Sequence, residues 1–321
     1  MVLLTGATGF LGSGLLKRLL HAGWEVCCIK RKTSDCLRVK EIMGQCRWYD
    51  LGQGVIEKIF QEHPIQMVIH CATDYGKEPG GYFDVYRANV AFPLELLEYA
   101  LKYGCQYFIN TDTFFVKAIK CPQAAGKELY RSAYTRTKYL LTYIVKGQIA
   151  GWDIAFLNMQ LEHLYGEDDG EQKFASFILR QLRENRSQVE LTEGTQIRDW
   201  VYMEDVLDAY MAVIQCRSQF GIRRFHPFEV GTGEGHSLKE FVQAVKEQTG
   251  SSTRLLFGKR QMQQGELAYS CADVRAMEGL GWKARYKMAD GIREMIKKDN
   301  QWKGLGYESS DSGRRVWHTD R

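Results

Sequence analysis

Tyr134 and Lys138 stand four residues apart in the run Tyr134-Thr135-Arg136-Thr137-Lys138. On a helix that spacing brings both side chains to one face. An ammonium beside a phenol stabilises the phenolate and draws the tyrosine from its usual pKa of about 10 toward neutrality. Such a tyrosine can give or take the proton of a carbonyl/alcohol couple. Upstream, Phe108-Ile109-Asn110-Thr111-Asp112-Thr113 ends a predicted strand. The Thr111 hydroxyl could there bond the same substrate oxygen, or simply cap a turn. At the N-terminus Thr5-Gly6-Ala7-Thr8-Gly9-Phe10-Leu11-Gly12 follows the apolar run Met1-Val2-Leu3-Leu4. Leucines 11, 15, 16, 19 and 20 then recur at helical spacing. Glycines at a strand-to-helix turn let backbone approach a ligand, and the helix start offers free N–H groups to a pyrophosphate. The motif therefore predicts dinucleotide binding. A second strand ends in Lys30-Arg31-Lys32, with no acid until Asp35. Basic residues there accommodate a 2′-phosphate, which favours NADP over NAD, although a solvated basic loop would look the same.

These residues need a scaffold, and the rest of the chain supplies one. Strand patterns over 1–4, 24–29, 47–49, 66–71, 106–110 and 153–159 alternate with helical ones, among them 55–61, 83–103 and 134–148. Such alternation predicts an α/β fold with a doubly wound parallel sheet over about 1–160. Pro93 should break or kink the helix that contains it. Beyond 160 short helices (174–183, 204–216, 237–249) mix with isolated strands and Gly-rich turns. A smaller C-terminal substrate-binding lobe is expected over 161–302, with Glu229-Val230 able to rejoin the main sheet. Residues 303–321 lack apolar periodicity and read as a mobile tail.

Composition narrows the class. The chain has 321 residues, 45% hydrophobic and 26% charged, as globular proteins do. A net charge of +4 is too small and dispersed for nucleic acid. No apolar stretch reaches membrane-span length. The nine cysteines lack Cys-x-x-Cys spacing, as expected of reduced thiols in a cytoplasmic protein, and the chain opens on a strand with no room for a signal peptide. Acids and histidines show no metal-ligand spacing.

Taken together the residues resemble the extended short-chain dehydrogenase/reductase family, in its nucleotide-sugar (NAD-dependent epimerase/dehydratase) branch. The resemblance runs to about residue 298. It rests on Thr5 to Gly12, Asp50-Leu51, Cys71-Ala72-Thr73, Asn89, Thr111, Tyr134/Lys138 and Arg198-Asp199-Trp200-Val201-Tyr202. It implies a Rossmann fold, with Tyr134 as acid/base, Lys138 as its electrostatic partner and ribose ligand, and Thr111 as the oxyanion-side hydroxyl. It implies that Gly6, Thr8, Gly9, Phe10 and Leu11 hold the cofactor with Arg31, Lys32, Cys71, Ala72 and Thr73. Asp50 and Leu51 would flank adenine, and Asn89 would order the site. Arg198 matches the arginine that meets a nucleotide diphosphate, where a planar fork suits two phosphate oxygens. Arg260 is a second candidate phosphate contact and Thr113 a substrate-side one. Homodimerisation is expected through the 88–103 and 134–149 helices, with Leu94, Leu97, Leu101, Leu141 and Val145 as contacts unless they pack on the sheet.

Departures from the family set the subclass. Thr113 stands where the sugar 4,6-dehydratases carry a glutamate, so the base for dehydration is missing. Asn110 to Thr113, with Leu161 to Gly166, looks most like CDP-4-keto-sugar reductases of the abequose and paratose synthase type. Met159-Gln160 replaces a usual Leu-Arg, and Gln263-Gln264-Gly265-Glu266 an expected Arg-x-Gly-Glu. His163, the one histidine in a family motif, reads as a packed residue. The resemblance thus implies an NADP(H)-dependent reductase acting at C4 of a CDP- or dTDP-linked 4-keto-6-deoxyhexose. A 4-epimerase with tightly held NAD(P) is the nearer rival, and a non-catalytic NADP sensor the more distant one.

Overall fold

All four residues of the first strand, β1 (Val2–Thr5), are buried, as an apolar run flanked by sheet on both sides must be. The computed structural model describes residues 1–76, 81–120, 132–262 and 266–304. From β1 the chain alternates through α1 (Phe10–His21), β2 (Val26–Lys30), β3 (Arg47–Asp50), α2 (Val55–Glu62) and β4 (Met67–His70). It continues through α3 (Tyr82–Tyr86), α4 (Phe92–Lys102), β5 (Tyr107–Thr113), α5 (Val116–Lys120), α6 (Ala133–Gln148) and β6 (Ala155–Leu161). After β6 come β7 (His163–Tyr165), α7 (Phe174–Arg183), β8 (Gln188–Glu190), β9 (Ile197–Tyr202) and α8 (Met203–Gln215). The last elements are β10 (Arg224–Val230), β11 (Gly235–Ser237), α9 (Leu238–Thr249), β12 (Arg254–Leu256), α10 (Arg275–Glu278) and α11 (Met288–Gly304).

Seven parallel strands form the main sheet in the order β10-β6-β5-β4-β1-β2-β3. The order reverses between β1 and β4, the crevice where open α/β sheets bind ligands. One face packs on α1 and α8 through Leu15, Leu16, Leu19, Val206, Tyr210 and Val213. The other packs on α2, α4 and α6 through Ile59, Leu97, Phe108, Leu141, Val145 and Phe156. β10 brings Glu229 and Val230 back to the sheet beside β6, as their pattern allowed. The later segments add a three-stranded sheet (β11-β9-β7), a two-stranded one (β12-β8), and a core of their own around Trp200, Tyr165 and Phe241.

Two expectations change. Pro93 does not sharply break its helix. Residues Arg87–Ala91 form a π turn between α3 and α4, and Pro93 follows it in a continuous helical run, so the widened turn takes up the distortion the proline demands. Leu97, Leu141 and Val145 are 2%, 1% and 0% exposed and face the sheet, while Leu94 and Leu101 pack on the same core. Leu97, Leu141 and Val145 are therefore core residues, Leu94 and Leu101 are half-buried, and the exposed aromatic surface on this side is Tyr82, Phe83 and Tyr143. The tail expected at 303–321 lies outside the described residues from 305 onward. Among the described residues no helix is long and apolar enough to cross a membrane.

Candidate active site at the carboxyl edge of the sheet

At the switch point backbone meets backbone. Gly6 has φ +71°, and a Cβ there would come 2.6 Å from Ala72 N and 2.7 Å from the Cys71 carbonyl carbon. A Cβ on Gly12 would run into the Gly6 carbonyl oxygen. Gly9 caps α1 with no side-chain bond, and no acid sits in the first turn, so the helix start is left to an anion. Thr5, the first residue of the glycine motif, closes the crevice from below. Its hydroxyl accepts from Ala72 N–H at 3.3 Å and shares a 2.9 Å hydrogen bond with buried His70 Nδ1. This cradle suits a pyrophosphate: tight backbone, free N–H groups, no competing carboxylate. Gly12→Ala should weaken NADPH binding at least about tenfold in a fluorescence titration, because the turn must open to admit the methyl group.

Along the sheet edge the basic residues divide their roles. Lys30 and Asp50 lie opposite each other across β2 and β3 and form a 2.5 Å ion pair, which pushes the Lys30 ammonium pKa up. Asp50, expected beside adenine, is thus already engaged. Leu51 follows it, 40% exposed, its N–H donating to Lys30 O at 2.7 Å. Arg31 and Lys32 are exposed, and no described carboxylate pairs with either.

Tyr134 and Lys138 do share a face of α6, but their electrostatics differ from expectation. The Lys138 ammonium is 2% exposed and donates to the Thr111 carbonyl at 2.9 Å. Burial pushes its pKa down, and the nearby Asp112 charge opposes that. The Tyr134 phenol is pushed well above 10, first by burial and then by Tyr75, while contact with the Thr113 hydroxyl lowers it in part. The expected pull toward neutrality is absent because Lys138 turns to the Thr111 backbone and a desolvated phenolate is costly. Thr111 has protein partners of its own. Its hydroxyl bonds Tyr210 OH at 2.7 Å and Cys71 Sγ at 3.3 Å, because the buried phenol of α8 takes it as partner. Thr113, two residues on, is the hydroxyl beside Tyr134. Burial pushes the Cys71 thiol up to about 11, so it is a neutral neighbour.

Asn89 ties this edge together. It is fully buried, accepts from Thr73 Oγ1 at 3.1 Å and Asp74 N–H at 2.8 Å, and donates to Asp74 O at 2.8 Å. Its second amide bond, to Thr137 Oγ1 at 3.1 Å, reaches α6 one turn from Tyr134. The π turn before Pro93 delivers this side chain.

On the lobe side, Arg198 is 3% exposed on β9, donates to Glu266 Oε1 at 3.2 Å, and stands 5.9 Å from the Phe114 ring centre. Phe114 follows Thr113, so Arg198 and the Tyr134 region meet across that ring. Arg260 does not join them by any described contact: its N–H donates to Leu191 O and its side chain is exposed. His163 packs on Trp200 at 4.3 Å, as expected of a packed residue. Its Nδ1 is nevertheless buried without a partner among the described residues. Burial, then Arg198, push its pKa down to about 3, so the ring is neutral. Of the Gln263 to Glu266 departure only Glu266 lies within the described residues, holding Arg198 and, at 2.9 Å, Gln196. Among the described residues no cluster of three metal-ligating side chains occurs.

Residues 2–225 match the sequence profile of the NAD dependent epimerase/dehydratase family. The chain is 33% identical over 302 residues to CDP-abequose synthase of Salmonella typhimurium, covering 92% of this chain and 97% of that protein. It is 30% identical over 297 residues to CDP-abequose synthase of Salmonella muenchen, covering 92% and 96%. Among solved structures, UDP-glucose-4-epimerase from Stenotrophomonas maltophila with bound NAD and formylated UDP-arabinopyranose superposes with a TM-score of 0.79 at 23% identity. That match covers 95% of this chain and 99% of the other, and it shows a common fold.

Proposed function

The chain belongs to the NAD dependent epimerase/dehydratase family, and from that premise we propose that it is an NADP(H)-dependent 4-ketoreductase of a CDP- or dTDP-linked 4-keto-6-deoxyhexose. The observation that carries this is that Tyr134 and Lys138 lie on one face of α6 at the carboxyl edge of the sheet, with Lys138 Nζ 2.9 Å from the Thr111 carbonyl and the Thr113 hydroxyl beside the phenol. A phenol that stays protonated at neutral pH carries the proton that reduction of a ketone must deliver to the new alkoxide. Dehydration needs a carboxylate base there instead. The nearby Asp112 has its oxygens engaged by Thr113 N–H and Asn158 Nδ2, at 2.8 and 2.9 Å.

The glycine cradle would hold the pyrophosphate of the dinucleotide, Lys138 and Tyr134 the nicotinamide ribose, and Arg31 and Lys32 the 2′-phosphate. Bound NADPH supplies the hydride. Tyr134 protonates the sugar oxygen, Thr113 orients the phenol, and the phenol regains its proton from solvent. Arg198 is the cation for the substrate diphosphate, and its Glu266 partner fixes the guanidinium. The names of the two Salmonella relatives favour a CDP-linked sugar.

Replacing Arg31 and Lys32 together with alanine should raise the NADPH Kd about tenfold or more and leave the NADH Kd nearly unchanged. Equal changes for both cofactors would remove the 2′-phosphate assignment. The activity itself is tested by supplying a CDP- or dTDP-4-keto-6-deoxyhexose with NADPH and following cofactor absorbance. Stoichiometric loss of NADPH with a new C4 alcohol supports the reductase. An altered sugar without net cofactor loss means a 4-epimerase, and dinucleotide binding without sugar-nucleotide binding means a sensor.

A further inference from the structure

Tyr75 lies just outside the machinery described above, yet it is held as if it belonged to it. Its side chain is 47% exposed, an unusual setting for a large aromatic on a locked loop. The residue before it has both backbone groups bonded to fully buried Asn89. The residue after it, Gly76, adopts φ +73° and donates to Asp74 Oδ1 at 2.8 Å. Asn89 is in turn bonded to α6, so the loop and the acid/base helix form one rigid frame. Within that frame the Tyr75 ring centre stands 4.9 Å from that of Tyr134. Lys173, immediately before α7, places its ammonium 3.8 Å from the Tyr75 ring centre. Fixing an exposed aromatic in advance removes the entropy cost of ordering it when a ligand arrives. With Lys173 over one face, the exposed remainder of the ring beside a proton donor matches the C–H face of a hexose, whose hydroxyls point outward around its rim.

We propose that Tyr75 is a sugar-positioning residue: the hexose of a nucleotide sugar stacks on its ring, which sets the C4 oxygen against the Tyr134 phenol. Lys173 completes the clasp from the other lobe and keeps the ring from turning away. This inference rests on the nucleotide-sugar reading of the site and adds to it the surface that reads the sugar.

Binding calorimetry on the full chain with oxidised cofactor present separates the two. The probes are CDP and CDP-glucose, and dTDP and dTDP-glucose. The wild type should bind the better-matched nucleotide sugar more tightly than its bare diphosphate. Tyr75→Ala should weaken that sugar ligand about tenfold and leave the bare diphosphate and NADPH unchanged. Tyr75→Phe, which keeps the ring, should retain wild-type affinity and guards against a folding artefact. In turnover the alanine variant should show a raised KM that phenylalanine restores. A sugar increment that survives Tyr75→Ala, or is lost equally in Tyr75→Phe, overturns the inference alone. A wild type that binds none of the four probes overturns the nucleotide-sugar reading, and the inference falls with it.

Discussion

Tyr134→Phe will lower turnover of a keto-sugar nucleotide by about 10²-fold or more, the usual worth of a positioned general acid. The substitution removes one oxygen and leaves the packing intact. The ring keeps its neighbours Tyr75 and Phe115, at 4.9 and 6.5 Å between centres. Lys138 stays bonded to the Thr111 carbonyl, so its ammonium does not lose a partner. Cofactor and nucleotide-sugar affinities should therefore remain within about threefold of wild type. The effect belongs in kcat, because the proton is transferred only as charge develops on the sugar oxygen. The sign of the pH dependence follows from the same group. The acid form is active and persists below the folded-state pKa, and burial holds that pKa well above 10. Wild-type reduction should thus show no loss attributable to Tyr134 between neutral and mildly alkaline pH. Single-turnover kinetics with pre-bound NADPH measure the chemical step directly. A rate within about twofold of wild type would remove Tyr134 from the acid role.

Much of the scaffold could be read from periodicity, because its strands are buried on both faces and its helices are amphipathic. The run 174–183 was visible for that reason, whereas the strand at Arg47 is a half-exposed edge strand. Three-residue strands such as β8 and β11 were not, since their partners lie far along the chain and leave no local pattern. The apolar stripes of α4 and α6 gave a true signal of burial but not of what covers them. Leu97, Leu141 and Val145 on those stripes pack against the sheet.

The site was legible where chemistry depends on local spacing, and illegible where it depends on a distant partner. Gly6 to Gly12 and Tyr134 with Lys138 are local patterns. The partner of the Thr111 hydroxyl, Tyr210, lies on another helix far along the chain. The direction of the phenol's pKa was decided by burial, which spacing does not report. Lys30 looked like one of three equivalent cations until strand register set it against Asp50. Tyr75 had no sequence signal at all, for its importance comes from Asn89 and from Lys173 in the other lobe.

Asp199→Ala will destabilise the protein by about 3–5 kcal/mol, against a typical total of about 5–15. The motif around Arg198 drew attention to the arginine, but the neighbouring acid holds the lobe together. Asp199 is fully buried on β9. Its carboxylate accepts from Thr232 N–H at 2.7 Å, Thr232 Oγ1 at 2.6 Å, Gly233 N–H at 2.9 Å and Ala272 N–H at 3.1 Å. A Cβ on Gly231 would collide with the same carboxylate, which shows how closely the segment after β10 wraps it. Alanine leaves three backbone donors without an acceptor in a space that water does not readily enter, and each such loss costs about 1–3 kcal/mol. Asparagine, retaining one acceptor oxygen, should cost about half as much. Urea unfolding should show a lower midpoint with an unchanged slope. Asp199 also connects the strand carrying Arg198 to the segment after Ser270, which bonds back to Ile197 O at 3.1 Å. At temperatures where the alanine variant is still folded, nucleotide-sugar affinity should therefore fall while NADPH affinity holds, because the dinucleotide cradle lies on β1 and α1. Equal loss of both ligands would mean that Asp199 supports the whole fold and not the substrate lobe.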